Sequence, residues 1–232
     1  ILTVILFSFN LLSLQGQDFD WAQSVGGDME DVGYSVVVDK LGNVYSTGEF
    51  RSTVDFDPGT DEFFLTSAGG SDVYVTKFNS DGEFIWARRI GNMEDDRGKS
   101  ITLDSDGNVY IVGYFSQAVD FDPGSGTSIL TSYGGKDIFI CKLNADGNFI
   151  WAKQIGGQDT ELCRGSYSDI SNNIYIAGYF FQTIDFDPGT SVYELTAHGS
   201  DADAFVCKLD ENGDLIWAKG LGGTSNDRAR SI

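Results

Sequence analysis

The sequence predicts an all-β fold built from tandem β-propeller blades, each of four antiparallel strands and about 65 residues. Three observations predict it. First, the string Asp-Phe-Asp-Pro-Gly occurs at 55–59, 120–124 and 185–189, at a constant spacing of 65 residues. Second, Trp21, Trp86, Trp151 and Trp217 keep the same beat, with one extra residue in the last interval absorbed by the loop at His198, Gly199, Ser200 and Asp201. Third, no window shows apolar residues at helical spacing, whereas short β-branched and aromatic runs alternate with glycine-bearing turns. Solenoid stacking is the alternative, but solenoid repeats run to roughly 20–50 residues, shorter than this unit.

In chain order, Ile1 to Leu14 is apolar except for Thr3, Ser8, Asn10 and Ser13, and gives way to Gln15-Gly16-Gln17. A membrane span needs about 20 residues. The stretch reads instead as the hydrophobic region of a secretory signal peptide over residues 1–16, which predicts a secreted or cell-surface protein. An apolar N-terminal strand is the alternative. Residues 17–232 then hold an incomplete propeller: units at about 22–86, 87–151 and 152–217, and a partial unit at 218–232. No Met or basic leader precedes Ile1, and the chain ends inside a strand equivalent to Lys99–Ile101, so an open arc from a longer protein is expected. Propellers close with about 4 to 8 blades, so the remaining blades are expected partners of this segment.

Within the second unit, Lys99 to Leu103 and Val109 to Phe115 flank the turn Asp104-Ser105-Asp106-Gly107-Asn108, a hairpin signature. Asp137 to Leu143 and Asn148 to Ile155 flank Asn144-Ala145-Asp146-Gly147 and predict a second hairpin. Between them, Ser116 to Lys136 carries the Asp-Phe-Asp-Pro-Gly element and Ser128-Ile129-Leu130-Thr131, an inserted loop or small hairpin. Trp21 is placed in a strand equivalent to the last strand of a unit.

The string Gly26-Gly27, Asp31, Gly33-Tyr34-Ser35-Val36-Val37-Val38-Asp39, Gly42-Asn43-Val44-Tyr45-Ser46-Thr47-Gly48 resembles the SBBP-type β-propeller repeat. The second copy, Ile90-Gly91, Asp96, Ile101, Asp104, Gly107-Asn108-Val109-Tyr110-Ile111-Val112-Gly113, matches as well. The third departs from the pattern at Leu162-Cys163-Arg164-Gly165 and Asn172-Asn173. The resemblance spans Asp18 to Ile232. It implies a propeller of the kind found in exported or cell-surface repeat proteins, mostly without a known catalytic role.

With 35 acidic against 15 basic residues the net charge is −20, which repels phosphate backbones and anionic lipid surfaces. Nucleic acid is therefore excluded as the expected partner, and no membrane span is expected in the mature chain. A protein or glycan ligand is expected instead. Cys141 and Cys207 hold equivalent positions in successive units, a whole unit apart and beyond bridging distance, and Cys163 stands where the previous unit has Gly98. All three read as small, partly buried thiols.

Repeated carboxylates are the candidate metal ligands. In the turns at Asp39, Asp104 and Asp169 the second carboxylate, Asp106, becomes Leu41 or Ser171, so what recurs is turn geometry, with Gly42, Gly107 or Asn172 at the position that needs positive φ. In the Asp-Phe-Asp-Pro-Gly element both carboxylates recur: Asp55 and Asp57, Asp120 and Asp122, Asp185 and Asp187. They either bond their own backbone, with the Phe packed on the blade, or supply oxygens to Ca²⁺, which takes roughly 6 to 8.

The recurring tryptophans are expected to pack blade on blade, with a carbohydrate-stacking platform as the alternative. Lys77, Lys142 and Lys208 are expected to pair with Asp39, Asp104 and Asp169. Residues without a like counterpart in the other units, including Arg51, Cys163, Tyr167 and the solitary, solvated His198, form no recognisable acid–base set. The expected function is a non-enzymatic scaffold or recognition segment of a larger surface or secreted protein. The alternative is part of a glycan-binding protein or of a glycan hydrolase or lyase, which needs only two carboxylates.

Overall fold

A computed structural model describes residues 20–232, so the segment read as a signal peptide lies outside the described residues. Every regular element in it is a strand. The first sheet holds β1 (Val32–Val38) and β2 (Val44–Phe50), then β5 (Asp72–Phe78) and β6 (Phe84–Ile90), in the order β1-β2-β5-β6. Inserted between β2 and β5 is a two-stranded ribbon, β3 (Thr53–Asp55) with β4 (Phe64–Thr66). The second sheet repeats this with β7 (Arg97–Leu103), β8 (Val109–Phe115), β11 (Asp137–Leu143) and β12 (Phe149–Ile155), and with the ribbon β9 (Ala118–Asp120) and β10 (Ile129–Thr131). The third uses β13 (Leu162–Ser168), β14 (Ile174–Phe180), β17 (Asp203–Leu209) and β18 (Leu215–Leu221), with β15 (Thr183–Asp185) and β16 (Glu194–Thr196). All pairings are antiparallel, and the inserted element is the small hairpin rather than a loop. The third unit forms its first strand despite its departures at Leu162–Gly165.

Period-two alternation builds the core between sheets. In the middle sheet, Val109, Ile111, Phe139 and Cys141 pack toward Tyr45, Val73, Val75 and Trp86 of the first sheet. The alternate residues Tyr110, Val112, Ile138 and Ile140 pack toward Ile174, Ile176, Phe205 and Cys207 of the third. Covered on both faces, β8 and β11 are buried at every position, whereas β1 alternates between exposed and half-buried. Sheets stacked face to face in an open arc are propeller blades.

β7 packs directly against both β1 and β13, so these three inner strands line the axis from which the sheets fan out. Serine hydroxyls link them: Ser35 Oγ accepts from Ile101 N at 3.2 Å, and Ser100 Oγ accepts from Ser166 N at 3.0 Å. Each inner strand carries a bulge, between Gly33 and Ser35, Gly98 and Ser100, and Cys163 and Gly165. The bulged residues are Tyr34, Lys99 and Arg164.

Residues 20–27 correct one expectation, because they form no strand. Among the described residues they pair with no strand, and they are held by side chains instead. Trp21 Nε1 donates to Ser80 O at 2.9 Å, as Trp86 Nε1 donates to Ala145 O and Trp151 Nε1 to Glu211 O, each time in the turn of the next sheet. Trp21, Trp86 and Trp151 are therefore pins between blades, as expected.

Candidate functional site

At one end of each sheet, the turn carboxylates are occupied by their own loops. Asp39 Oδ1 accepts from Leu41 N and Asn43 N, and Oδ2 from Asn43 Nδ2; Asp104 and Asp169 repeat the pattern. Gly42, Gly107 and Asn172 take φ of 83°, 82° and 63°, the left-handed conformation that the sequence implied. For Asp39 the cost of burial is outweighed by the hydrogen bonds from Asn43 and Leu41, which hold its carboxyl below the ordinary range. Lys142 Nζ lies 3.2 Å from Asp104 and Lys208 Nζ 3.3 Å from Asp169. Lys77 corrects the expectation for the first unit: its Nζ reaches across to Ala145 O of the next sheet at 3.1 Å rather than to Asp39. Each of these lysines also lies over a strand-two tyrosine, Tyr45, Tyr110 or Tyr175, which meets the pinning tryptophan edge to face.

The opposite end carries the ribbons. Asp55 Oδ1 accepts from Asp57 N and Phe63 N, and Asp57 Oδ1 from Gly59 N. Asp120 with Asp122 and Asp185 with Asp187 do the same. The phenylalanines between them, Phe56, Phe121 and Phe186, are buried and meet Phe50, Phe115 and Phe180 edge to face at 5.2, 5.2 and 5.4 Å. In every copy the Oδ1 atoms close the ribbon loop. Among the described residues no three His, Cys, Asp or Glu side chains converge as a ligand group.

A second set of acids at this end was not singled out from the sequence. Asp72, Asp137 and Asp203 open the third strand of each sheet and are buried. Their Oδ2 atoms accept from Ala68 N, Tyr133 N and His198 N, and each has a different side-chain partner: Arg89 at 2.6 Å, Gln154 at 2.5 Å and His198 at 2.7 Å. Arg89 and Gln154 are equivalent positions, and the third unit has Gly220 there. His198 supplies the missing partner from the loop. Its side chain is 65% exposed, but its Nδ1 is engaged, which corrects the reading of a merely solvated histidine. The other carboxylate oxygen, Oδ1, faces Gly91, Gly156 or Gly222 so closely that a Cβ there would come within 2.7 Å.

Asp96 and Glu161 lie in front of the next inner strands. Asp96 accepts from Asn92 N and Ser116 N, and Glu161 from Gly157 N. Burial pushes both carboxyls up to about 7, with Asp72 adding to Asp96, and Asp137 and Asp159 to Glu161. The three cysteines are free and fully buried, more so than expected, and burial raises all three thiols, Cys163 to about 12.

On the axis the charge inverts. Lys99 Nζ sits 3.0 Å above the Tyr34 ring, whose hydroxyl donates to Glu49 Oε1 at 2.5 Å. Arg97 Nε lies 2.7 Å from Glu49 Oε2, paired in charge although the N–H is not aligned for a hydrogen bond. Arg164 and Arg228 lie over one ring, Tyr179, at 5.8 and 4.6 Å. The signal for this row was present in the sequence: aligning the units by their bulge places Tyr34, Lys99, Arg164 and Arg230 at one position. Of the residues singled out as unlike their counterparts, Arg51 pairs with Asp95 at 2.8 Å, and Tyr167 lies beside Tyr175.

Residues 85–114, from β6 through β7 to β8, match the family model described as SBBP, a beta-propeller repeat. This stretch of the chain is therefore similar to an SBBP repeat. The matched window runs from the outermost strand of the first sheet into the inner strands of the second. The chain is 25% identical over 233 aligned positions to an uncharacterized WD repeat-containing protein of Acanthamoeba polyphaga mimivirus, covering 89% of this chain and 17% of that protein. It is 24% identical over 128 positions to a regulatory protein, FlaEY, of Caulobacter vibrioides, covering 55% of this chain and 13% of that one. The chain thus spans under a fifth of the length of either relative. A solved structure of a protein of unknown function from Bacteroides caccae covers 83% of each chain at 9% identity and a TM-score of 0.29.

Proposed function

We propose that this SBBP repeat segment is a non-enzymatic recognition scaffold of an exported, cell-surface or secreted protein. The observation that supports it most is a division of labour. Carboxylates, tryptophans and phenylalanines that recur in every sheet are engaged in turns, pins and ribbon anchors, while the bulge position on the axis varies from Tyr34 to Lys99 to Arg164. A constant frame with a varied row suits binding. The apolar stretch Ile1 to Leu14 supports export. Incubating the purified chain with a panel of polysaccharides tests the first part: retention or indifference without release of new chain ends is expected, and release of reducing or unsaturated ends would overturn it. Expressing the sequence behind a restored start codon and finding it only in the cytoplasm would overturn export.

A second reading gives the ribbons a calcium role. It rests on the Oδ2 atoms of Asp55, Asp57, Asp120, Asp122, Asp185 and Asp187, which take no part in the loop hydrogen bonds that Oδ1 makes. Backbone carbonyls and water would have to complete the shell. A melting transition raised by calcium and lowered by chelator is expected on this reading; superimposable melts in the two conditions would sink it.

A further inference from the structure

We propose that the cationic row on the inner strands, Lys99 and Arg164 flanked by Arg228 and Arg230, is a binding site for a small multivalent oxyanion, a phosphate-bearing or polycarboxylate molecule. The proposal deepens the recognition reading above and rests on it.

The first observation is where the positive charge lies. The chain carries 15 basic residues against 35 acidic ones, yet basic side chains occupy the bulge position of successive inner strands. Because β7 packs beside β13, Lys99 and Arg164 are neighbours across the blade boundary. The second observation is that these charges make no ion pair of their own: the one acid facing Lys99, Glu49, is taken by Arg97. Arg97, on the same strand as Lys99, is matched by Glu49 at 2.7 Å and by Asp95 at 3.8 Å, and Arg51 by Asp95 at 2.8 Å. Among the described residues, none of Lys99, Arg164, Arg228 and Arg230 forms an ion pair. They rest on aromatic faces instead, Lys99 on Tyr34 and both Arg164 and Arg228 on Tyr179. Placing these like charges together with only the shared Glu49 near them is unfavourable, and a bound anion would relieve it.

The setting of Lys99 supports this. Facing it are Tyr34 and Glu49 of the first sheet, Arg97 of its own strand, and Cys163 and Arg164 of the third sheet. Burial first, and then repulsion from Arg164, bring its amine down to about 8.

The row's chemistry selects the ligand class. Guanidinium forks bind phosphate and carboxylate through two parallel hydrogen bonds, and an ammonium adds a point charge. A long polyanion is disfavoured by the net charge of −20 around the row, whereas a small anion needs only the axis.

Calorimetric titration of the whole chain at pH 8.5 with inorganic phosphate and, separately, with citrate tests the proposal and distinguishes the two sources. Saturable one-to-one binding of at least one probe is expected. Lys99→Gln and Arg164→Gln should each weaken it about tenfold, the scale of one lost charge-assisted contact, and Lys40→Gln, an exposed charge on a distant turn, should not. Binding should also take up protons, seen as heats that differ between buffers of different ionisation enthalpy, because the anion raises the Lys99 amine. Lys99→Arg should keep the binding and lose the proton uptake. Failure of both probes to saturate, or equal affinity in Lys99→Gln, Arg164→Gln and the parent, would overturn it. Release of polysaccharide ends in the separate assay would instead remove the scaffold reading and leave the anion site standing.

Discussion

The two ends of the sheets carry the same device, a carboxylate accepting backbone N–H groups, and Asp39 and Asp169 at one end use it with the opposite electrostatic result to Asp96 and Glu161 at the other. At the Asp-Gly-Asn turns the hydrogen bonds win over partial burial: Asp39 is held below its ordinary range, and Asp169, with Asn173 as the largest influence, lower still. At the ribbon end burial wins over similar bonds, and Asp96 and Glu161 rise to about 7. The lesson is that a recurring acid in a repeat is not one kind of group. The number of donors per carboxylate and the depth of the site decide its charge.

Breaking the turn end should give the largest effect, and unequally between copies. Asp104 holds the buried Lys142 as well as its own turn, whereas Asp39 holds its turn and a long hydrogen bond from the Tyr45 hydroxyl but no lysine. Asp104→Ala should cost roughly 3–5 kcal/mol, because a buried ammonium loses its partner. Asp39→Ala should cost about 1–2 kcal/mol, the scale of lost turn hydrogen bonds. Denaturant melts of the two variants check the ranking, and equal losses would refute the distinction.

The next effect is in pH. Folded values near 7 for Asp96 and Glu161 stand above the ordinary 3.8 and 4.5, so between about pH 4 and 7 the folded chain holds more protons than the unfolded one. Their contribution is complete below the unfolded values and is lost as pH rises through 7. The depressed Asp39 and Asp169 act oppositely, contributing above the unfolded value and fading in acid. Melting temperature should therefore peak in mild acid. Glu161→Gln keeps the oxygen that Gly157 N bonds and removes the charge, so it should stabilise the chain at pH 8 by on the order of 3 kcal/mol and flatten the slope between pH 5 and 7. A slope unchanged in this variant would show that Glu161 does not carry it.

The smallest effect sharpens the comparison within the ribbon end. His198→Ala removes the side-chain partner of Asp203 and should cost about 1–2 kcal/mol. Gly220 is where the second sheet places Gln154, and a Cβ there meets only Phe180 and Leu195 at ordinary contact distance. Gly220→Gln in the His198→Ala background should recover most of the loss in a thermal melt. A double variant no better than the single one would show that the two positions are not interchangeable.

Strand positions, turn types and the ribbon were legible because each depends on residues within a few positions of one another: Gly107 for positive φ, and Phe121 beside Pro123-Gly124 for an anchored turn. The blade pins were legible as a beat of tryptophans. Lys77 was misread because its choice lay between a turn on its own sheet and a carbonyl on the next, and local spacing does not rank those. The Asp72, Asp137 and Asp203 set was missed because an acid at the start of an apolar strand looks like a strand boundary until its burial is seen.

By itself the sequence determined the repeat, the four strands of each unit, the place of the inserted element and the chemistry of the turns, since these follow from period-two patterning and local backbone preference. Only the tertiary structure decided that the row of Tyr34, Lys99 and Arg164 lies on the inner strands, that His198 replaces the side chain Gly220 lacks, and which acids are charged. Those depend on distances between strands about 65 residues apart and on how much water the neighbouring sheet removes, and neither is a local property of the chain.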